Sequence, residues 1–240
     1  MTILPNTAML LAAGFGQRMR PLTETTAKPL LPVADIALID RHLDMLAAAG
    51  VRRAIVNVHW QADKVEAHLA NYEAMDIIIS DERDVLLETG GALAKARPLL
   101  GDEPVFVVNT DAIWGPGNPE PLTRLAQNFT PDHMDELLLL ADTRRCIGYH
   151  GRGDFNKNPA GELQRRIGDD VTNWAYAGVR ILKPGLYDNQ EIAPFSANRI
   201  WDQLLQDRRL YGIPLDHFWL HVGDPTALRD AEMWLRCHGE

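Results

Sequence analysis

The sequence predicts an α/β protein built on a Rossmann-like, mostly parallel sheet flanked by helices, with some mixing of strand direction. Three observations carry that prediction. In the N-terminal half, short apolar runs alternate with stretches of helical periodicity, the order expected of βαβ units. Val105-Phe106-Val107-Val108 is apolar throughout, as in a strand covered on both faces. The first apolar run also ends in a glycine-bearing turn, where such sheets place their ligands.

Taken in order, residues 8–11 form the first strand. Residues 38–49 form a helix whose apolar face carries Ile39, Leu43, Leu46 and Ala47, capped by Gly50. A strand over 54–58, a helix over 61–70 and a strand over 77–79 follow. Residues 91–100 read as a helix stopped near Pro98 and Gly101, and 105–108 as the next strand. Residues 115–121, dense in Gly and Pro, form a loop. Residues 137–141 are a buried strand, 148–161 an exposed loop or hairpin, 174–182 an alternating strand and 198–208 a helix. The last helix spans 225–237, opening on Pro225 and placing Leu228, Ala231 and Leu235 on one face. No repeat or linker divides the chain. The expectation is a single domain over 1–240, with an N-terminal half to about residue 112 and a more irregular half after it.

Composition narrows the function classes. Hydrophobic residues make up 46% and charged residues 24%, which suits a globular protein and excludes disorder. A formal charge of −9 argues against a general nucleic-acid or anionic-membrane binder. It leaves room for a small anion held by backbone amides and a few cations. Cys146 and Cys237 have no metal-ligand spacing and read as buried or idle thiols. No signal peptide and no span of apolar residues long enough for a bilayer is present, so a cytoplasmic location is expected.

The most informative stretch follows the first strand: Leu11-Ala12-Ala13-Gly14-Phe15-Gly16-Gln17-Arg18, then Arg20 and Lys28-Pro29-Leu30-Leu31-Pro32. Small residues let the backbone approach a ligand and turn its N–H groups toward it. The cations Arg18, Arg20 and Lys28 around such a loop suit a polyphosphate. The dinucleotide fingerprint fails, because Met19 stands where its third glycine belongs. The P-loop fails for want of Gly-Lys-Ser/Thr.

With that loop, the chain resembles the sugar-1-phosphate nucleotidyltransferases. Leu87-Glu88-Thr89-Gly90-Gly91-Ala92, Asn109-Thr110-Asp111, Gly151-Arg152-Gly153-Asp154-Phe155 and Tyr176-Ala177-Gly178-Val179 match family segments in order. The short length and the Gly-Arg-Gly-Asp-Phe loop are most similar to the N-acetylmuramate 1-phosphate uridylyltransferases of cell-wall recycling. The resemblance implies a GT-A-like nucleotidyltransferase fold, a nucleoside triphosphate and a sugar 1-phosphate as substrates, and Mg²⁺ as cofactor with Mn²⁺ as the alternative. The short C-terminus, ending at Glu240, argues against the versions that add a left-handed β-helix acyltransferase or regulatory domain, which are not expected here.

The resemblance also assigns residues. Leu11, Ala12, Ala13 and Gly14 would contact base and ribose, and Gly16 and Arg18 the triphosphate. Lys28 would bridge the sugar phosphate and the α-phosphate. Glu88, Thr89 and Gly90 match the segment that closes over the base, although Thr-Gly-Gly alone is simply a good helix start. Asn109 would reach ribose or phosphate, and Asp111 would hold the metal, a turn cap being its bland alternative. Arg18, Lys28 and Asp111 form the catalytic set. On the sugar side, Asp154 would accept hydroxyl hydrogen bonds, Arg152 would pair with a lactyl carboxylate, and Gly178 would let the sugar ring approach. His59 and Trp60 could line the nucleotide pocket or merely pack; His42 and His68 read as surface or half-buried groups.

One position departs from the family. Trp219-Leu220-His221-Val222-Gly223-Asp224 places His221 where a second Asp metal ligand is expected. Magnesium prefers oxygen, so His221 would be a weaker ligand, favour Mn²⁺, or bond to phosphate instead. The neighbouring readings are mannose-1-phosphate guanylyltransferase and glucose-1-phosphate thymidylyltransferase. From another class comes an inactive nucleotide-sugar-binding module.

Overall fold

A computed structural model describes residues 4–115 and 119–238. Strand β1 (Thr7–Leu11) leads through the glycine loop to a small hairpin, β2 (Pro32–Val33) and β3 (Ile36–Ala37). Helix α1 (Leu38–Ala48), β4 (Arg53–Val58), α2 (Ala62–Leu69) and β5 (Asp76–Asp81) complete the first βαβ repeat. Then come α3 (Glu88–Leu100), β6 (Val105–Asn109) and a short β7 (Ala112–Trp114). The second half holds α4 (Glu120–Asn128), β8 (Glu136–Asp142), β9 (Cys146–Ile147), β10 (Phe155–Lys157), β11 (Leu163–Arg165) and β12 (Trp174–Leu182). Helix α5 (Asn198–Gln206), β13 (Leu210–Pro214), β14 (Trp219–His221) and α6 (Pro225–His238) end the fold. Part of the loop expected over 115–121 lies on 116–118, outside the described residues.

The central sheet has nine strands and runs β11-β10-β12-β6-β1-β4-β5, with β8 and β13 continuing from β12. It is parallel where β1 lies between β4 and β6, and antiparallel where β12 meets β6, β8 and β10. The sequence patterns thus give the parallel part faithfully. The antiparallel half follows from β12, which enters against β6 and reverses the direction of what is built on it.

Alternation along the strands sorts the core onto two faces. Leu10, Val56, Phe106 and Val108 pack with Leu43, Leu46 and Val65 on one side, while Met9, Ile55 and Val107 pack with Leu93, Trp201 and Leu204 on the other. Leu43 is fully buried, so truncating it to Ala removes about 2–5 kcal/mol. A third cluster joins α6, through Ala231 and Leu235, to Leu220 and Val222 behind the site.

Several boundaries differ from expectation. Helix α3 begins at Glu88 rather than 91 and passes through Pro98 to Leu100, where Gly101 takes a positive φ of 75°. A proline in the last turn forfeits one ladder bond and does not stop the helix. His42 is 2% exposed, not a surface group, because α1 turns it under the sheet edge beside the Trp114 ring. Its burial lowers its pKa to about 4. Cys146 is half-buried, its thiol donating to the Asp142 carbonyl and pushed up by burial to about 12, whereas Cys237 is exposed. Among the described residues, no helix is long and apolar enough to cross a membrane.

Candidate active site

Register brings the carboxyl ends of three strands together. Leu11 lies opposite Asn57 on one side and Asn109 on the other. Above them opens a cavity of about 600 Å³, lined by Leu11, Ala12, Ala13, Gly14, Gly16 and Arg18 from the glycine loop, by Lys28, and by Glu88 and Thr89 from the start of α3. A second cavity of about 330 Å³ continues from it, lined by Asp154, Tyr176, Gly178 and His221 among others. Thr89, Asn109, Asp111 and Ser196 line both and form the common wall.

The two glycines of the loop do different work. Gly16 has φ +61°, and a Cβ there would lie 2.8 Å from the Thr23 methyl, so the turn requires glycine. Gly14 faces open space, which leaves its backbone approachable. The loop is anchored from behind: the Ala12 N–H donates to Asn57 Oδ1 at 2.7 Å, and Thr110 Oγ1 donates to the Leu11 carbonyl at 3.0 Å. Asn57 Nδ2 donates in turn to Glu82 Oε1 at 2.8 Å, and Glu82 Oε2 accepts the Leu87 N–H at 3.0 Å. Glu82 is 1% exposed, and burial raises its pKa against these hydrogen bonds. This buried chain ties the glycine loop to the start of α3. Sequence reasoning missed it, although a polar Asn57 inside the run Ala-Ile-Val-Asn-Val was a signal.

At the common wall, Lys28 Nζ donates to Asp111 Oδ2 at 3.0 Å. The side chains are 13% and 30% exposed, so both remain accessible to a ligand. Burial pushes the Asp111 carboxyl up, but Lys28, His221 and Arg18 together hold it below the usual carboxylate value. His221 follows from β14, whose Leu220 and His221 pair with Ile113 and Ala112. Its Nδ1 lies 3.3 Å from the Gly148 carbonyl oxygen, which can only accept, so Nδ1 is the donor in that contact. Gly223 makes room for this ring: a Cβ there would lie 2.4 Å from it.

Among the described residues, no cluster of three or more His, Cys, Asp and Glu forms a metal cage. Asp111 and His221 offer one carboxylate and one imidazole. That donor set fits a divalent cation whose remaining ligands are phosphate oxygens and water.

In the second cavity, Asp154 Oδ2 accepts the Tyr176 N–H at 2.8 Å. Burial raises the Asp154 pKa, opposed by that hydrogen bond and by Arg165 and Arg166. Gly178 has φ +93° at a register irregularity in β12, 3.4 Å from the Ala112 methyl by its would-be Cβ.

Four residues weighed for the site are not among the cavity linings. Gly90 packs instead against Phe195, donating its N–H to the Phe195 carbonyl at 2.8 Å; a Cβ there would sit 2.3 Å from the Phe195 ring. Arg152 points to the surface, 55% exposed and hydrogen-bonded to Asp169, although Tyr149 and Asp154 on either side of it line the second cavity. His59 and Trp60 support the loop rather than line it: His59 meets the Glu82 carbonyl at 2.7 Å and the Phe15 ring edge-on, and Trp60 Nε1 donates to the Thr23 carbonyl.

The nucleotidyl transferase family profile matches residues 7–145, more than half the chain. The match begins with β1 and covers the glycine loop, Lys28, the α3 start and Asp111. The chain belongs to the nucleotidyl transferase family. It is 43% identical over 236 residues to an N-acetylmuramate alpha-1-phosphate uridylyltransferase of Caulobacter vibrioides, covering 97% of this chain and 98% of the relative. A Neisseria meningitidis enzyme of the same name is 33% identical over 237 residues, covering 94% and 96%. The fold matches the inositol-1-phosphate CTP transferase of T. maritima at a TM-score of 0.77 and 16% identity, over 95% of this chain and 93% of that one. The nucleotidyl transferase fold is therefore a mixed sheet with helices on both faces, and the chain is a sugar-1-phosphate nucleotidyltransferase by its family and its relatives.

Proposed function

We propose that this nucleotidyl transferase moves the uridylyl group of UTP to N-acetylmuramate 1-phosphate, releasing pyrophosphate and forming a nucleotide sugar for cell-wall recycling in the cytoplasm. The observation that carries the reading is the Lys28–Asp111 pair, in which Lys28 lines the first cavity and Asp111 lines both. Near-full-length similarity to two enzymes of that name supports the choice of substrates.

The attacking sugar phosphate is already an anion, so no general base is needed. The work is to hold two polyanions in line and neutralise their repulsion. Leu11, Ala12, Ala13 and Gly14 hold base and ribose, and Glu88 and Thr89 close the far side. Gly16 and Arg18 receive the triphosphate, with Arg18 steadying the departing pyrophosphate. Lys28 holds the sugar phosphate beside the α-phosphate, and Asn109 orients the ribose or phosphate. A sugar phosphate oxygen bonds to the α-phosphorus while the bond to the pyrophosphate oxygen breaks. Asp154 accepts sugar hydroxyls, and Gly178 admits the ring. Asp111 and His221 would hold Mg²⁺, or Mn²⁺, which when bound supplies charge neutralisation to the phosphates. The two halves of the chain act as one unit.

The test is pyrophosphate release with Mg²⁺ and then Mn²⁺, crossing UTP, GTP, dTTP and CTP with N-acetylmuramate, N-acetylglucosamine, mannose and glucose 1-phosphates. The expected productive pair is UTP with N-acetylmuramate 1-phosphate. Preference for GTP with mannose 1-phosphate or dTTP with glucose 1-phosphate overturns the substrate choice. Nucleotide binding without turnover of any pair overturns catalysis.

A further inference from the structure

The proposed sugar carries a carboxylate on its lactyl ether, which needs a cationic partner in the second cavity. Arg152 does not supply one: it lies outside the cavity lining and is engaged by Asp169. The arginines that line this cavity are Arg165 and Arg180. They are not equivalent.

Arg180 is 1% exposed and lies against Glu136, itself 0% exposed, at 2.7 Å. Its Nη1 donates to Tyr176 Oη at 3.2 Å, and its guanidinium lies over the Tyr176 and Trp201 rings. Trp201 Nε1 also donates to Glu136 Oε1 at 2.7 Å. The charge of Arg180 is thus matched by a buried carboxylate in a packed wall, where a second anion would unbalance the pair.

Arg165 is 33% exposed, at the end of β11. Its Nε donates to Asp202 Oδ1 at 2.9 Å and its Nη2 to Asn198 Oδ1 at 2.8 Å, both from α5. The Phe155 and Trp201 rings lie 5.1 and 5.7 Å from its guanidinium carbon. Two sides of the guanidinium are therefore fixed, while Nη1 makes no protein hydrogen bond among the described residues. Asp202 is 58% exposed, so water screens the charge that would otherwise compete with a ligand. A planar donor held in place by its other edge loses little freedom on binding a carboxylate.

We infer that Arg165 is the specificity-determining residue that recognises a carboxylate on the sugar, oriented for it by Asn198 and Asp202. The inference rests on the proposed substrate and goes beyond it by naming the group that reads the lactyl substituent. N-acetylglucosamine 1-phosphate is the matched probe, because it lacks only that substituent.

The experiment measures kcat/KM with UTP for both sugar phosphates in wild type, Arg165→Gln, Arg165→Lys and Arg152→Gln. Wild type prefers the lactyl sugar. Arg165→Gln lowers the ratio of the two kcat/KM values by about 10- to 100-fold, mainly through KM for the lactyl sugar. Arg165→Lys restores part of the ratio, because it returns the charge without the planar fork. Arg152→Gln keeps the ratio within about twofold of wild type, well short of the factor expected for one charge-assisted hydrogen bond. A merely structural Arg165 would lower both substrates together and leave the ratio intact, which overturns the inference alone. A wild type that shows no preference for the lactyl sugar overturns the substrate assignment and the inference with it. A Gln variant too unstable to assay is replaced by Asn198→Ala, which frees the guanidinium and must lower the same ratio; an unchanged ratio there overturns the orienting role and the inference.

Discussion

Asp111 faces both cavities and is held below the usual carboxylate value by the cations around it, so the proposed reaction depends on it most. Replacing Asp111 by Asn keeps its size and removes the charge. Pyrophosphate release by Asp111→Asn is expected to fall about 10²- to 10³-fold in kcat, with the thermal midpoint little changed. Lys28→Met is expected to fall similarly, and the double variant less than the product of the two, because each residue is the other's partner. A product of full size would sink the coupling. Arg18, Lys28 and Asp111 were legible because they stand in contiguous motifs that bring their neighbours with them. Asn57, Ser196 and Arg165 were not, because their place depends on register and on contacts far along the chain. Arg152 misled for the same reason: it adjoins Asp154 in sequence, but a turn at Gly153, φ +78°, separates the two side chains.

At the scale of elements, the start of α3 is set by its dock and not by local propensity. Glu88 has φ +57°, unusual for a non-glycine, and the turn it makes is braced by residues 193–195. The helical pattern alone could not announce a start fixed by that contact. Gly91 is the tightest point, where a Cβ would lie 2.1 Å from the Ala193 carbonyl oxygen. Gly91→Ala is therefore expected to cost about 1–3 kcal/mol in chemical unfolding. It should also raise KM for both substrates, since Thr89 and Ser196 line both cavities. Unchanged KM values would mean the dock and the site are uncoupled. Strand β12, by contrast, spans the residues expected of it, Trp174–Leu182, although its burial alternates only at its start and is continuous from Ala177 to Leu182.

Helix α1 gives a prediction of another kind. His42 titrates near 6.5 when exposed and near 4 in the fold, so the unfolded chain binds more protons between those values. Its contribution is fully present above about pH 6.5 and is lost as pH falls toward 4. Between pH 7.5 and 5 the loss amounts to about 2 kcal/mol. Urea unfolding of wild type and His42→Leu at those two pH values is the check: the variant should lose less stability on acidification by about that amount. Equal losses would show that His42 is not the source.

For the whole molecule, binding to the folded state should appear as stabilisation. At a hundredfold excess over its dissociation constant, UTP with Mg²⁺ adds about 2.7 kcal/mol, or about 5–10 °C in thermal midpoint. GTP at the same concentration should give a smaller shift, and a chelator should shrink both. Equal shifts for the two nucleotides would remove base selection from the protein. The net charge of −9 does not oppose this, since the cavity walls carry their own cations.

The wall shared by the two cavities has a consequence for how such a chain can change over generations. Asn109 ends β6 and Asp111 follows it, and β6 is bonded to β1 on one side and β12 on the other. On the proposed reading, the spacing between nucleotide and sugar is therefore set by the backbone at the end of one strand. Moving that strand by one residue would turn both side chains away from both ligands at once, so no partial step exists there. The outer flanks carry no such restraint. If the proposed roles hold, a new sugar would be accommodated by rewriting Asp154, Arg165 and Asn198, and a new base by rewriting the loop side, with the chemistry between them inherited intact.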